Sequence, residues 1–323
     1  MRTDPQATVA DANTEEDAAD DAIETRAHTV GEKEHGTRLD KVLVGVAGEF
    51  SRNQLQSLIE RGCVQVDGIT MAQPSRKLRL GQRVEVALVP TAESQAFRAE
   101  AMVLDVVFED AHLLVVNKPA GLVVHPAAGH WSGTLLNGLL AWHPGASTLA
   151  RAGIVHRLDK DTTGLMVVAK TLITMTALTR AIAARDVHRE YLAIAHGLVS
   201  PMQFSVEQPI GRDPRTRVRM AVVTTGKAAR TDFECIASAA GATALRCVLH
   251  SGRTHQIRVH LSFIGHPLVG DEIYGGRPLL GLQRQALHAA RLRLAHPVTG
   301  AALDFACAPP LDFQAAWATV SQN

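Results

Sequence analysis

From Leu39 the chain becomes rhythmic: Leu39, Val42, Leu43 and Val46 recur at helical spacing. Ser51 and Gln54 then form a capping-box pair ahead of a second apolar stripe, Leu55, Leu58 and Ile59, which stops at Gly62. "CVQV" alternates as a strand does, Asp67-Gly68 signals a tight hairpin turn, and "GQRVEVALVP" supplies a closing strand. The pattern predicts a small αα-then-β module over residues 37–89. Before it, residues 1–36 contain almost no large apolar residue ahead of Val30, so a disordered tail is expected. After it, "PTAESQAFRAEAM" (residues 90–102) is polar and Ala-rich and reads as a linker.

From Leu104 onward, strand and helix signals alternate without a simple βαβ repeat. "HLLVVNKPAG" is a buried strand broken by Pro119 and Gly121, and "GLMVVAK" is another apolar run. "TLITMTALTRAIAARD" has the length and pattern of a helix, and "EYLAIAHG" reads as a strand closed by Gly197. In "TALRCVLH", Leu245, Cys247 and Leu249 share one face. Residues 103–323 are therefore expected to form an α+β domain of catalytic size.

Composition narrows the class. A 46% hydrophobic share over 323 residues suits globular domains, and no apolar run approaches the roughly 18 residues of a membrane span. The four cysteines (Cys63, Cys235, Cys247, Cys307) are widely spaced, which argues against a zinc site or a disulfide framework and fits a reducing cytoplasm. The acidic N-terminus lacks the basic and apolar regions of a signal peptide. A soluble cytoplasmic protein is expected. The net charge of +1 hides a split: residues 1–36 hold ten acids against Arg2, Arg26 and Lys33, a net −7, which leaves +8 for residues 37–323. Such a body suits an anionic partner such as nucleic acid, although ordinary surface charge is the plain alternative.

Four stretches carry candidate chemistry. In "GIVHRLDKDTTGLMVVA", two apolar runs read as strands that pin the loop "RLDKDTT" between them. Asp159 is then held rigidly yet within reach, and flanking Arg157 and Lys160 favour its ionised form, as a nucleophile requires. Asp161 competes for the role, and a capped surface loop is the plain alternative. In "SGRTHQIRVHLSFIG", Ile257, Leu261 and Ile264 define a helix that Thr254 can cap and Gly265 can end. Arg258 lies beside that stripe, well placed to fork onto an inward carboxylate. His255 and His260 lack the spacing of a helical metal pair, so no metal is expected and structural roles are the default for the 15 histidines. Tyr191, one of two tyrosines, begins a strand where its ring can stack on a base and its hydroxyl can serve as acid or base. "GRDPRTRVRM" brings Arg212, Arg215, Arg217 and Arg219 together; the last three share one face if extended, a phosphate-binding candidate beside the alternative of a solvated loop.

The first module resembles the S4 RNA-binding domain through Arg38-Leu39-Asp40, Ser51-Arg52, "RGCVQVDG" and "GQRVEV". Its basic side chains, Arg38 and Arg52 among them, would then grip phosphates. Taken together, the stretches resemble the RluA-type pseudouridine synthases, most closely those acting on large-subunit ribosomal RNA. The resemblance runs from about Thr37 to Pro310 and is carried by "VVNKPAGLVVHP", "TLLNGLL", "RAGIVHRLDKDTTGLMVVAKT", "REYLAIAHG", "SGRTHQIRVHLSFIGHPLVGDEIYGG" and "RQALHAARLRLAHPVTG". Departures are few: Ser251 replaces a usual Thr, Arg189 a frequent Lys, and the connector between Gly275 and Arg284 is short.

The resemblance implies a mixed, largely antiparallel sheet with flanking helices, and isomerisation of uridine in RNA without a cofactor. It implies that Asp159 is the catalytic aspartate, attacking C1′ of the ribose or C6 of the uracil. Arg258 would pair with it, Tyr191 would stack on the flipped base, and Arg157 would insert where the base leaves its stack. The expected partner is large-subunit ribosomal RNA or an assembling large subunit, bound by a monomer with no membrane and no small-molecule cofactor. Two rivals stand beside this reading. One is a non-catalytic RNA-binding or ribosome-assembly protein, disfavoured because binding alone needs no Asp159, Tyr191 and Arg258 together. The other is the same chemistry on transfer RNA or small-subunit RNA. A generic hydrolase is disfavoured by the lack of a G-x-S-x-G motif.

Overall fold

The structure, a computed structural model, describes residues 24–89, 96–127, 129–216 and 219–321. The chain divides into two compact units, Met1–Thr91 and Ala92–Asn323.

In the first unit, α1 (Leu39–Val46) and α2 (Arg52–Glu60) bury Leu39, Leu43, Leu55, Leu58 and Ile59 in a single core with strand residues such as Val64 and Val84. The capping box at Ser51 forms: Gln54 N–H donates to Ser51 Oγ, and Ser51 N–H donates to Gln54 Oε1 at 2.8 Å. β2 (Val64–Val66) and β3 (Ile69–Met71) join through Asp67 and Gly68, both at positive φ (53° and 77°), the geometry of a type I′ hairpin turn. β4 (Arg83–Leu88) pairs with β2.

The expected disordered tail is corrected for residues 24–36. Glu24–Thr29 form β1, antiparallel to β4 in the register Glu24↔Leu88 to Thr29↔Arg83, giving a sheet ordered β1-β4-β2-β3. β1 buries none of its own side chains, so no apolar period marks it. Backbone hydrogen bonds to the open edge of β4 hold it, and Val30 follows directly into the core. Residues 1–23 lie outside the described residues.

The second unit is a nine-stranded sheet. β5 (Val106–Glu109), β6 (Leu113–Lys118) and β7 (Thr163–Ala169) form one side of it, and β8 (His188–His196), β9 (Gln203–Glu207), β12 (Arg230–Ala239) and β13 (Ala242–Leu249) the other. β14 (Leu287–Ala295) lies between β7 and β8, and β15 (Ala302–Ala306) also pairs with it. The order is β5-β6-β7-β14-β8-β13-β12-β9, antiparallel throughout except where β14 meets β7. A separate hairpin joins β10 (Ile210–Arg212) to β11 (Met220–Val222).

Both faces of the sheet are covered. Met166 and Val168 of β7 share a core with α3 (Leu135–Trp142) and α5 (Gln256–Phe263), whereas Leu165 and Val167 face α4 (Leu172–Ala184). All seven residues of β7 are buried, which is why it reads as a continuous apolar run rather than an alternation. α6 (Leu311–Ser321) packs Phe313 and Val320 near Ile194 and Ala244. Among the described residues, no helix is long and apolar enough to cross a membrane.

Two further expectations are corrected. The described part of the expected linker, residues 96–102, is bound into the second unit: Asn137 Nδ2 donates to the carbonyls of Ala96 (3.3 Å) and Arg98 (2.8 Å), and Met102 packs on the main core. Residues 90–95 lie outside the described residues. "GIVH" is not a strand; only Ile154 makes an isolated bridge, to Val168, after a tight turn with Arg151 and Ala152 at positive φ.

Candidate active site

The loop before β7 is clamped at every few residues. Leu158 points into the core, and Thr162 N–H closes a turn on Asp159 O at 3.1 Å. Lys118, 1% exposed at the end of β6, donates to the carbonyls of Pro119 (2.7 Å), Leu122 (2.9 Å) and Lys160 (2.8 Å). Burial pushes its ammonium down to about 8, against the pull of Asp161 and Asp159, so it stays charged at neutral pH. Arg284 Nη1 holds the Asp161 carbonyl at 3.2 Å, while Thr162 Oγ1 accepts from Gln285 Nε2 at 3.1 Å. His156 accepts the Val167 N–H at 3.0 Å; burial drives its ring down to about 3, leaving the lone pair that this bond needs.

Gly164 sets the next step. A Cβ there would lie 2.2 Å from Ala289 O, and its φ is +110°. Only glycine lets β7 approach β14 this closely, which brings the loop beside β8.

The two competing acids separate clearly. Both are half-buried, but it is Asp159 whose Oδ2 accepts from Arg258 Nη1, at 3.0 Å, whereas the Asp161 carboxylate makes no ion pair among the described residues. Arg258 projects from α5 and is 3% exposed. Its fork is not on Asp159: Nε and Nη2 donate to the two oxygens of Asp271, at 2.7 and 2.8 Å. Burial disfavours the guanidinium charge, but the bonds to Asp271 and the charges of Asp159 and Asp271 outweigh it and raise its pKa. Its Cζ also lies 4.9 Å from the ring centre of Tyr274.

His255 completes this corner. It occupies the N-cap of α5 with a left-handed φ of 58°, so Thr254 is not the cap. Its Nδ1 is 2.8 Å from Tyr274 Oη, which itself accepts from Met220 N–H at 3.1 Å. Its Nε2 faces Asp159 Oδ1 at 3.7 Å. Burial pushes the ring below its usual range, against the pull of Asp159. In the tautomer where Tyr274 donates to Nδ1, the neutral ring carries its own proton on Nε2, on the side of the carboxylate.

Asp159, Arg157, Tyr191 and Arg258 all line one cavity of about 750 Å³. Tyr191 is 5% exposed on β8, and burial pushes its phenol above the ordinary range. Arg157 is exposed at the rim. Arg189, two residues before Tyr191 on the same face of β8, lines the cavity as well. Among the described residues, no group of three or more His, Cys, Asp or Glu side chains is arranged to hold a metal ion.

The remaining candidate arginines lie elsewhere. Arg38 and Arg52 both bind Asp40, which is fully buried: Arg38 at 3.0 Å through two nitrogens, Arg52 Nη2 at 2.7 Å. Their side chains are still 40% and 46% exposed. Arg215 and Arg219 do not share a strand face, since β10 ends at Arg212 and β11 begins at Met220. They flank a turn built on Asp213, which accepts from Arg215 N–H at 2.8 Å and from Arg219 Nε at 2.6 Å. Arg212 ends β10, and Arg217 lies outside the described residues.

Four residues of the site had escaped the sequence. Asp271, Lys118, His255 and Arg189 each stand within conspicuous stretches, but none has a spacing that marks its role. Their signal is burial of a titratable group, visible only in three dimensions.

A chain whose mixed sheet holds a cavity gathering an aspartate, several arginines and a tyrosine, joined in sequence to a small basic αα-β module, matches known families over most of its length. Residues 112–263 match the family described as RNA pseudouridylate synthase, and residues 37–84 match the S4 domain. The chain belongs to the RNA pseudouridylate synthase family and is an RNA-modifying enzyme that isomerises uridine. It is 48% identical over 280 residues to the ribosomal large subunit pseudouridine synthase D of Nitrosomonas europaea, covering 84% of this chain and 81% of that one. The protein of the same name from Pasteurella multocida is 44% identical over 291 residues, 86% of this chain and 89% of that one. Among solved structures, human RNA pseudouridylate synthase domain containing 4 aligns with a TM-score of 0.53 and 25% identity, covering 67% of this chain and 92% of that one.

Proposed function

We propose that the chain converts uridines of large-subunit ribosomal RNA to pseudouridine, with Asp159 as the nucleophile. The observation that carries the assignment is the Asp159 carboxylate at the cavity wall, with Oδ2 tied to Arg258 and Oδ1 left without a hydrogen bond among the described residues. One oxygen held by Arg258 and the other facing only the His255 ring at 3.7 Å, beyond hydrogen-bond distance, is an arrangement from which a carboxylate can attack. Asp159 attacks C1′ or C6, the N1–C1′ bond breaks, and the base rejoins the ribose through C5. Arg258 orients the carboxylate, Tyr191 stacks on the flipped uracil and sits where the C5 proton must leave, and Arg157 fills the space the base vacates. Extrusion costs a few kcal/mol, roughly, offset by stacking and polar contacts in the cavity. The first unit and the Arg212–Arg219 hairpin hold the surrounding RNA by its phosphates, Arg38 and Arg52 through their exposed nitrogens. The substrate class follows the relatives' names, and the enzyme acts as a cytoplasmic monomer on RNA or on an assembling large subunit.

The test is incubation of the protein with unmodified large-subunit RNA transcript, mapping pseudouridine by carbodiimide labelling and primer extension, beside Asp159→Ala. Stops with wild type alone support the reading. Stops with both proteins remove Asp159 from the nucleophile's role, and modification of transfer RNA alone overturns the substrate.

A further inference from the structure

Arg189 is a buried cation without an ion-pair partner among the described residues. It is 6% exposed, its Nε is buried with no hydrogen bond, and among the described residues its side chain makes no ion pair. The other deeply buried guanidinium of the cavity, Arg258, has two carboxylates. Holding a guanidinium this deep without an opposite charge is unfavourable, and a fold retains such a group where something else supplies the acceptor.

Its surroundings point to where that acceptor comes from. Arg189 and Tyr191 are two apart on β8, so their side chains emerge side by side on one face, about 7 Å apart along the strand. Both line the cavity that holds Asp159. Across from it stands Gly252, where an added Cβ would lie 2.8 Å from Arg189 Nη1; the missing side chain is what gives the guanidinium its place. Its charge is felt by the His156 and Tyr191 side chains, neither of which is an anion at neutral pH.

We propose that Arg189 is a substrate-binding residue that takes a negatively polarised oxygen of the flipped nucleotide, beside the ring stacked on Tyr191. The inference rests on the reading of the cavity as the pseudouridine synthase site. Two groups of that nucleotide carry the required chemistry: a uracil carbonyl oxygen, which gains negative charge as the N1–C1′ bond breaks, and a phosphate oxygen of its backbone. A guanidinium suits either, since it offers several fixed N–H donors and keeps its charge.

The experiment compares Arg189→Met and Arg189→Lys with wild type in three measurements: thermal midpoint, single-turnover rate on a uridine-bearing RNA stem-loop, and affinity for that RNA and for its abasic counterpart. Arg189→Met is expected to leave the midpoint unchanged or raise it, because it removes an unpaired buried charge while keeping an apolar stem. Its single-turnover rate should fall about 10- to 100-fold, with Arg189→Lys intermediate. Weaker binding to the uridine RNA alone assigns the contact to the base; equal weakening on both RNAs assigns it to the phosphate. A midpoint that falls in step with the rate would make Arg189 a packing residue and overturn the proposal. So would an unchanged rate and affinity in Arg189→Met. An inactive wild type, or an active Asp159→Ala control, would instead strike the underlying reading of the cavity.

Discussion

Arg258 gives its two-pronged fork to Asp271 and reaches Asp159 with a single Nη1–H. The aspartate proposed to attack is therefore the lesser partner of this arginine. Asp271, 1% exposed, compensates the buried cation whether or not Asp159 is engaged with substrate. Asp159 is free to change its bonding during a reaction without stranding a buried charge.

Asp271→Ala should for that reason be the more damaging of the two changes to the fold. It leaves Arg258 half-paired in a buried place, at a cost of about 3–5 kcal/mol. Urea unfolding reads the loss directly. A variant as stable as wild type would show that the fork does not hold the site.

Asp159→Ala should abolish isomerisation while leaving RNA affinity and the thermal midpoint near wild type. Its carboxylate accepts one hydrogen bond within 3.5 Å, and Asp271 keeps Arg258 paired in its absence. Filter binding and calorimetry beside the modification assay check the three readouts together. A large drop in stability would contradict the division of labour between the two aspartates.

Gly164→Ala should destabilise the second unit by about 3 kcal/mol or more, or prevent soluble expression. The added methyl meets the Ala289 carbonyl, a backbone atom that cannot step aside, at a residue with φ of +110°. Because the β7–β14 approach sets the loop beside β8, any soluble variant should also lose activity. Circular dichroism melts and single-turnover rates measure both.

His156 should make stability fall in acid. Its folded pKa of about 3 lies below the ordinary 6.5, so between these values the unfolded chain binds the extra proton. The stabilisation is complete above pH 6.5 and is lost progressively as pH falls toward 3. His156→Gln, which keeps an oxygen acceptor for the Val167 N–H, should flatten this part of the stability profile. Unfolding midpoints at several pH values between 4 and 7, roughly the span over which the free and buried rings differ in charge, would show it.

Much of the architecture was legible because its causes are local. The capping box at Ser51, the Asp67-Gly68 turn and the apolar stripe of α5 are set by residues within a few places of one another. The loop carrying Asp159 was legible too, since the buried run of β7 announces where it ends. β1 escaped notice because ladder hydrogen bonds, not buried side chains, hold it, and backbone groups carry no residue signature. The described part of the expected linker failed for a related reason: the Asn137 side chain captures its carbonyls from about forty residues away.

By itself, then, the sequence determined the α+β class, the order of most elements and the family, and it singled out Asp159, Tyr191, Arg157 and Arg258 as candidates. The tertiary structure alone decided the partnerships. Arg258 is 99 residues from Asp159 and 13 from Asp271, and nothing in that spacing says which receives the fork. The order of β7, β14 and β8 in the sheet decides it, because that order brings loop, helix and strand to one cavity. The same packing leaves Arg189 buried with its Nε unbonded and no ion pair among the described residues, a fact about space that no string of residues can express.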